Sequence, residues 1–138
     1  MALKSVGSLI GGKQIQGLID VPALATVSDA VVKMTARGVG AILIRNPQNT
    51  IDGIFTERDL MVRVVSMGRD PKTTPIRSVM SLQVRRVDAA TSVEDALRLM
   101  VTQGYRHLAV AEGGAIKGIV SIRDIMASMA EPEASVAP

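Results

Sequence analysis

The chain has 138 residues, 47% of them apolar and 21% charged, which suits one compact domain or two very small halves sharing a core. Phe55 and Tyr105 are its only aromatics, so it lacks the stacking platform of an RNA-binding sheet. A net charge of +3, from 16 basic and 13 acidic residues, suits an anionic small ligand but is too diffuse to recommend nucleic acid. The absence of cysteine excludes disulfides and thiolate chemistry, and the single histidine, His107, excludes a multi-histidine metal site.

Residues 4–10 read as a short helix ended by Gly11-Gly12, with loop and strand following to Pro22. Thr26-Val27-Ser28-Asp29 is a capping-box-like helix start, and Val27, Ala30, Val31 and Met34 behind it share one helical face up to Gly38. Residues 40–44 are an apolar run that reads as a buried strand, residues 46–49 a turn, and residues 51–55 the returning strand. A second helix is expected from Glu57 to about Met67, stopped by Gly68 and followed by a polar linker over residues 69–74.

The pattern then returns. Residues 75–80 resemble the opening short helix, and residues 83–87 read as a strand. Ser92-Val93-Glu94-Asp95 starts a helix with Val93, Ala96, Leu97 and Met100 on one face, ended by Gly104. Strands over residues 106–111 and 116–120 flank a Glu112-Gly113-Gly114 turn, and a last helix spans about Ile122 to Met129. Residues 131–138 read as a disordered tail. No apolar run reaches membrane-spanning length, and the first 13 residues make no convincing signal peptide, so the expected location is the cytoplasm.

The repeat is countable. Val27 and Val93, Met34 and Met100, and Gly38 and Gly104 lie 66 positions apart, whereas Gly53 and Gly118, and Asp59 and Asp124, lie 65 apart. The lost residue falls in the hairpin turn, where deletions are best tolerated. The expected fold class is therefore α/β (α+β), with two β-α-β-β-α repeats over residues 1–72 and 73–130. Neither is long enough to bury a good core alone, so the two are expected to pack sheet to sheet about a pseudo-twofold axis.

Each half ends in the same phrase: Gly53-Ile54-Phe55-Thr56-Glu57-Arg58-Asp59 and Gly118-Ile119-Val120-Ser121-Ile122-Arg123-Asp124. With Pro75-Ile76-Arg77-Ser78-Val79-Met80 between the halves and Gly104-Tyr105-Arg106-His107-Leu108 before a central strand, the chain resembles a tandem pair of cystathionine beta-synthase (CBS) domains. The resemblance covers about Val6 to Met129. It implies a stand-alone regulatory module whose cleft between repeats binds an adenosine-containing ligand: AMP, ADP, ATP, NAD or S-adenosylmethionine. It also implies a dimer of pairs, head to head or head to tail. One departure is that the proline preceding the first helix start sits one position early, at Pro22, and that the second half has Asp88-Ala89-Ala90 in its place.

The candidate ligand residues follow from the repeated phrase and its surroundings. A carboxylate has two acceptor oxygens and can take a hydrogen bond from each hydroxyl of a ribose diol, the role the resemblance implies for Asp59 and Asp124. Thr56 with Asp59, and Ser121 with Asp124, equally fit capping boxes. Thr56 and Ser121 stand at helix starts, where free N–H groups and a hydroxyl favour phosphate. Arg58 and Arg123 either fork onto phosphate oxygens or stay solvated. Arg106 and His107 offer polar contacts at the second central strand, where the first half has Gly40 and Ala41, so the two clefts should differ. His107 also reads as a satisfied core histidine. Val39 and Tyr105 are positioned to flank an adenine or simply to pack.

No nucleophile, general-base pair or metal cluster is visible, so the chain reads as a non-enzyme without an obligatory cofactor, holding an adenine nucleotide as ligand. Its expected partners are a second copy of itself and a separate target protein, with neither membrane nor nucleic acid. The competing reading is a structural dimerisation or protein-interaction module with vestigial clefts. The expected dimer surface combines Leu60, Met61, Val64 and Val65 with Ile125, Met126 and Met129.

Overall fold

The computed structural model describes residues 4–10 and 20–130, so the expected tail over residues 131–138 and the loop over residues 11–19 lie outside the described residues. The described chain falls into two compact units: residues 20–84, and residues 4–10 together with 85–130.

In the unit of residues 20–84, strand β1 (Asp20–Pro22) pairs in parallel with β2 (Ala41–Arg45), which pairs antiparallel with β3 (Ile51–Thr56). Helix α2 (Val27–Arg37) starts at the expected capping box. The Asp29 amide donates to Thr26 Oγ1 at 3.2 Å, and the Thr26 amide donates to Asp29 Oδ2 at 3.0 Å. Gly38, with φ of 66°, ends it in the left-handed conformation that a side chain disfavours. The periodic face is the buried one: Val27, Ala30 and Met34 pack with Ile42, Ile44 and Phe55, and Val31 lies half-buried against them.

The helix expected from Glu57 to Met67 is instead one α-helical turn, α3 (Glu57–Asp59), followed by a π-helical stretch over Leu60–Val65. Its wider hydrogen bonding reaches back five residues, as from Ser66 N to Met61 O at 2.9 Å, and the chain then closes over left-handed Gly68 with a bond from Arg69 N to Val64 O at 2.9 Å. This stretch turns Val64 fully into the core with Leu60 packed beside it, and leaves Met61 62% and Val65 67% exposed.

In the second unit, β4 (Arg86–Asp88) pairs in parallel with β5 (His107–Glu112), and β5 pairs antiparallel with β6 (Ala115–Ser121). Strand β4 lies later than the apolar pattern suggests, because its register opposite Ala109, Val110 and Ala111 begins at Arg86. Ser92 caps helix α4 (Val93–Gln103) by accepting from the Asp95 amide at 3.1 Å, but the reciprocal half of the box is missing because Asp95 turns to Arg98 at 3.2 Å. Val93, Ala96 and Met100 are the buried face, and α5 (Ile122–Ala130) closes the unit with Ile125 in its core.

Both sheets break register at the same place, between Ile44 and Arg45 and between Val110 and Ala111. Past that bulge the first hairpin turns through Asn46–Asn49, with Asn49 at φ of 67°, and the second through Gly113-Gly114 at 61° and 82°. The one-residue difference between the repeats lies there. Each repeat thus has the expected β-α-β-β-α order.

Each short lead-in segment packs on the repeat that does not follow it in sequence. Helix α1 (Val6–Ile10) belongs to the second unit, where the Val6 amide donates to Thr91 O at 2.8 Å and the Val93 amide to Lys4 O at 2.9 Å. In the first unit the Ile76 amide donates to Ala25 O at 2.8 Å and the Val27 amide to Thr74 O at 2.9 Å. Ser5 bridges Ser92 as Pro75 bridges Thr26, and both Val6 and Ile76 are fully buried. Lys4 Nζ also donates to Ser128 O at 3.0 Å, satisfying a carbonyl in the last turn of α5. The two seats are one structural device used twice.

One further expectation is corrected here. Leu60 and Val64 face the first core and Ile125 the second, so they are not available as a dimer surface; Met61, Val65, Met126 and Met129 remain exposed. The spacing that marks an apolar contact face is the same spacing that marks an inward face. Among the described residues, no helix is long and apolar enough to cross a membrane.

Candidate ligand site

Each repeated phrase sits where the last strand of its sheet turns into a helix. Gly53 is on β3 because another stretch of backbone crosses it: a Cβ there would lie 2.6 Å from Ser81 O and 2.8 Å from Met80 Sδ. The approach is fixed by reciprocal hydrogen bonds between Ile54 and Ser81, at 2.9 and 2.8 Å. The motif glycine of the first repeat therefore makes room for the segment that follows Ile76–Ser78.

At the end of β3, the Thr56 amide and hydroxyl donate to Asp59 Oδ2 at 2.9 and 3.1 Å, and the Asp59 amide donates to Thr56 Oγ1 at 3.2 Å. The second carboxylate oxygen, Asp59 Oδ1, faces Arg63 Nε at 3.5 Å, and the side chain is only 14% exposed. Arg58 is exposed and makes no side-chain hydrogen bond or ion pair among the described residues. Val39 lies half-buried against the core, its amide bonded to Met34 O at 3.0 Å. Glu57, which the sequence reading did not single out, donates its amide to Gly40 O at 3.0 Å and folds its carboxylate over the Gly40 α-carbon.

At the end of β6, the Ser121 amide donates to Asp124 Oδ2 at 2.8 Å and the Asp124 amide to Ser121 Oγ at 3.0 Å. Asp124 Oδ1 accepts no hydrogen bond from the described residues and so keeps its acceptor capacity. Arg106 and Arg123 are exposed, and Arg106 O accepts from the Ile122 amide at 2.8 Å, the bond that Gly40 and Glu57 make in the first repeat. His107 is half-buried at the start of β5, opposite Ser121 in the ladder. Tyr105 is half-buried against the second core, and the Arg85 guanidinium carbon lies 5.3 Å from its ring centroid. The Arg85–Tyr105 contact was not legible, since twenty residues of sequence separate the pair.

The ten sequence candidates therefore gather into two sets. Val39, Thr56, Arg58 and Asp59 surround one strand-to-helix turn, and Tyr105, Arg106, His107, Ser121, Arg123 and Asp124 the other. The local reading of the carboxylates holds in both: Asp59 and Asp124 are capping residues. One oxygen does the capping in each case, so the cap does not consume the group. The second set holds two exposed arginines and a carboxylate oxygen that accepts no hydrogen bond from the described residues, groups whose chemistry suits an anion and a diol. No group of His, Asp and Glu capable of holding a metal ion occurs among the described residues.

Comparison with known proteins is consistent with this doubled architecture. The family model for the CBS domain matches residues 16–66 and 76–131. An uncharacterised protein of Methanopyrus kandleri is 37% identical over 102 residues, covering 73% of this chain and 52% of its own length. The chain thus spans about half the length of that relative. Among solved structures, a candidate signal-transduction protein with CBS domains from Burkholderia ambifaria is 32% identical with a TM-score of 0.81, covering 91% of this chain and 93% of that one. A CBS-domain-containing protein from Agrobacterium tumefaciens is 25% identical with a TM-score of 0.82, covering 94% of this chain and 96% of that one. With both repeats matched in sequence and both sheets formed in the expected order, the chain belongs to the CBS domain family and carries a pair of these domains.

Proposed function

We propose that this CBS pair is a regulatory module that binds an adenosine-containing nucleotide (AMP, ADP, ATP, NAD or S-adenosylmethionine) without turning it over, and that it acts in the cytoplasm as a homodimer on a separate target protein. The observation that carries the reading is the arrangement at the end of β6. Asp124 caps α5 with one oxygen, and among the described residues its other oxygen accepts no hydrogen bond and the exposed side chains of Arg106 and Arg123 make no hydrogen bond or ion pair, so a ribose hydroxyl and a phosphate would find free partners there. A buried arginine fork or a fully bonded carboxylate would not have left that capacity. The candidate signal-transduction protein of B. ambifaria supports a regulatory role for a pair of this size.

Titration calorimetry with each of the five nucleotides tests the proposal. Saturable binding of at least one, weakened by Asp124→Asn, is the expected result. Absence of binding by all five would sink it.

The second reading, an interaction module with vestigial clefts, is favoured by one observation: both capping boxes are complete within the protein itself. Thermal melting separates the two. A ligand at a hundred times its Kd should add about 2.7 kcal/mol of stability, whereas a vestigial site gives no shift with any nucleotide.

A further inference from the structure

Arg63 stands in the π-helical stretch behind the first motif and holds two elements at once. Its Nε lies 3.5 Å from Asp59 Oδ1, and its Nη1 donates to Met80 O at 3.2 Å and reaches Val79 O at 3.5 Å. The first partner is the motif carboxylate. The second is the stretch that follows the Ile76–Ser78 turn, crosses Gly53 and leads the chain on to β4. Both anchor points are fixed by other bonds. Asp59 is held by its box with Thr56, and the crossing stretch by Met80 N to Ile76 O at 3.0 Å and by the reciprocal Ile54–Ser81 pair. Arg63, although its side chain is 50% exposed, is thus a strut between two fixed points.

The second repeat ties its lead-in differently. The residue 65 positions on from Arg63 is Ser128, which is buried and donates its hydroxyl to Ile125 O at 2.8 Å. The cation comes from the lead-in itself, Lys4 Nζ donating to Ser128 O at 3.0 Å. Asp124 takes no part, since it bonds to Ser121 and makes no ion pair among the described residues. In both repeats a cation joins the lead-in to the motif helix, but in the first that cation also engages the motif carboxylate.

A hydroxyl donating to Asp59 Oδ1 competes with Arg63 for the same oxygen. We propose that Arg63 is a positioning residue that couples the state of the Asp59 carboxylate to the stretch over residues 79–81, so that occupancy of the first motif loosens that stretch, whereas the second motif has no such link to its own lead-in. The occupancy part rests on the nucleotide-binding reading above and adds to it which motif reports its ligand and through which residue.

Hydrogen exchange of the full chain tests the coupling at the Ser81 amide, which donates to Ile54 O at 2.8 Å. Without ligand, Asp59→Asn should speed this exchange by about twofold, the scale of a half-exposed ion pair. Arg63→Met should speed it by about fivefold, the scale of a lost hydrogen bond. In the Arg63→Met background Asp59→Asn should add nothing, because the carboxylate acts through the guanidinium. Arg63→Lys should behave like Arg63→Met, because an ammonium point charge cannot span both anchors. Asp124→Asn should leave exchange unchanged at Gly7, whose amide donates to Ala89 O at 2.9 Å. Saturating AMP or ATP should speed Ser81 exchange in the wild type and not in Arg63→Met. A wild-type rate in Asp59→Asn, or additive effects of the two substitutions, would overturn the coupling. Nucleotide bound in calorimetry without a change at Ser81 would overturn the occupancy part. No binding of either nucleotide would remove the nucleotide reading and the occupancy part together, and the ligand-free cycle would still decide whether Arg63 couples Asp59 to the crossing stretch.

Discussion

The backbone amide of Val6 donates to the carbonyl of Thr91 at 2.8 Å, and this bond seats the first helix of the chain on the second repeat. Its counterpart, from Ile76 to Ala25 at 2.8 Å, seats the lead-in of the second repeat on the first. Each repeat therefore owes part of its core to a segment that the sequence places elsewhere.

The consequence is measurable. Val6→Ala removes buried methyl groups next to Val93 and Ile125, and should cost about 2 kcal/mol, while Ile76→Ala should cost about 2–5 kcal/mol. Leu24→Ala, at a side chain 80% exposed, should stay within about 0.5 kcal/mol of wild type. Urea denaturation gives all three values. Hydrogen exchange locates the effect: Val6→Ala should loosen amides of β6 and α5, not those of α2. A Val6→Ala protein as stable as wild type would show that the seat contributes nothing.

The motif glycine makes a second case. Gly53→Ala would place a methyl group 2.6 Å from Ser81 O, and a backbone atom cannot move aside cheaply. The substitution should destabilise by about 1–3 kcal/mol, in the range of an overpacked site. Its effect on nucleotide affinity should be no larger than its effect on folding allows. Normal stability with lost binding would mean that the glycine serves the ligand and not the crossing segment.

Dimerisation is tested at side chains that are free to make contact. Met61, Val65, Met126 and Met129 are 62%, 67%, 56% and 44% exposed, so apolar surface remains on both motif helices. The expected species in sedimentation at micromolar concentration is a dimer. Met61→Glu combined with Val65→Glu should shift it to monomer with little change in melting temperature, because neither side chain belongs to a core. A wild-type monomer, or a double variant that remains dimeric, would contradict this surface.

Much of this architecture was legible before the fold. The 66-residue offset anticipated matched caps at Thr26 and Ser92, matched left-handed glycines at Gly38 and Gly104, and the shortened second hairpin. These are local features, set by hydrogen bonds and backbone preferences within a few residues. The exchange of Val6 and Ile76 was not legible, because apolarity says that a segment is buried but not which core receives it. The inward turns of Val64 and Ile125 were missed because the apolar spacing that marks a contact face also marks an inward face. The Glu57–Gly40 contact escaped because each residue has an ordinary explanation alone, as a helix-start acid and a loop glycine.

The last prediction distinguishes the two uses of Asp124. Its Oδ2 accepts from the Ser121 amide at 2.8 Å, and its Oδ1 has no partner among the described residues. Asp124→Asn keeps one carbonyl oxygen, which can hold the Ser121 amide and preserve the box. It replaces the open acceptor with an NH2 donor that cannot accept from a ribose hydroxyl. The charge-assisted bond is lost, and the amide can at best donate a weaker neutral bond to the hydroxyl oxygen, so nucleotide affinity should fall by about tenfold or more, equivalent to about 1.4 kcal/mol. The melting temperature without ligand should barely move, since a capping substitution that retains an acceptor costs little. Asp59→Asn is the internal control: its second oxygen already faces Arg63 at 3.5 Å in a side chain 14% exposed, so binding should change less and stability more. Normal binding by Asp124→Asn would make Asp124 a cap and nothing else. A fall in stability as large as the fall in affinity would assign the whole Ser121–Asp124 box to folding.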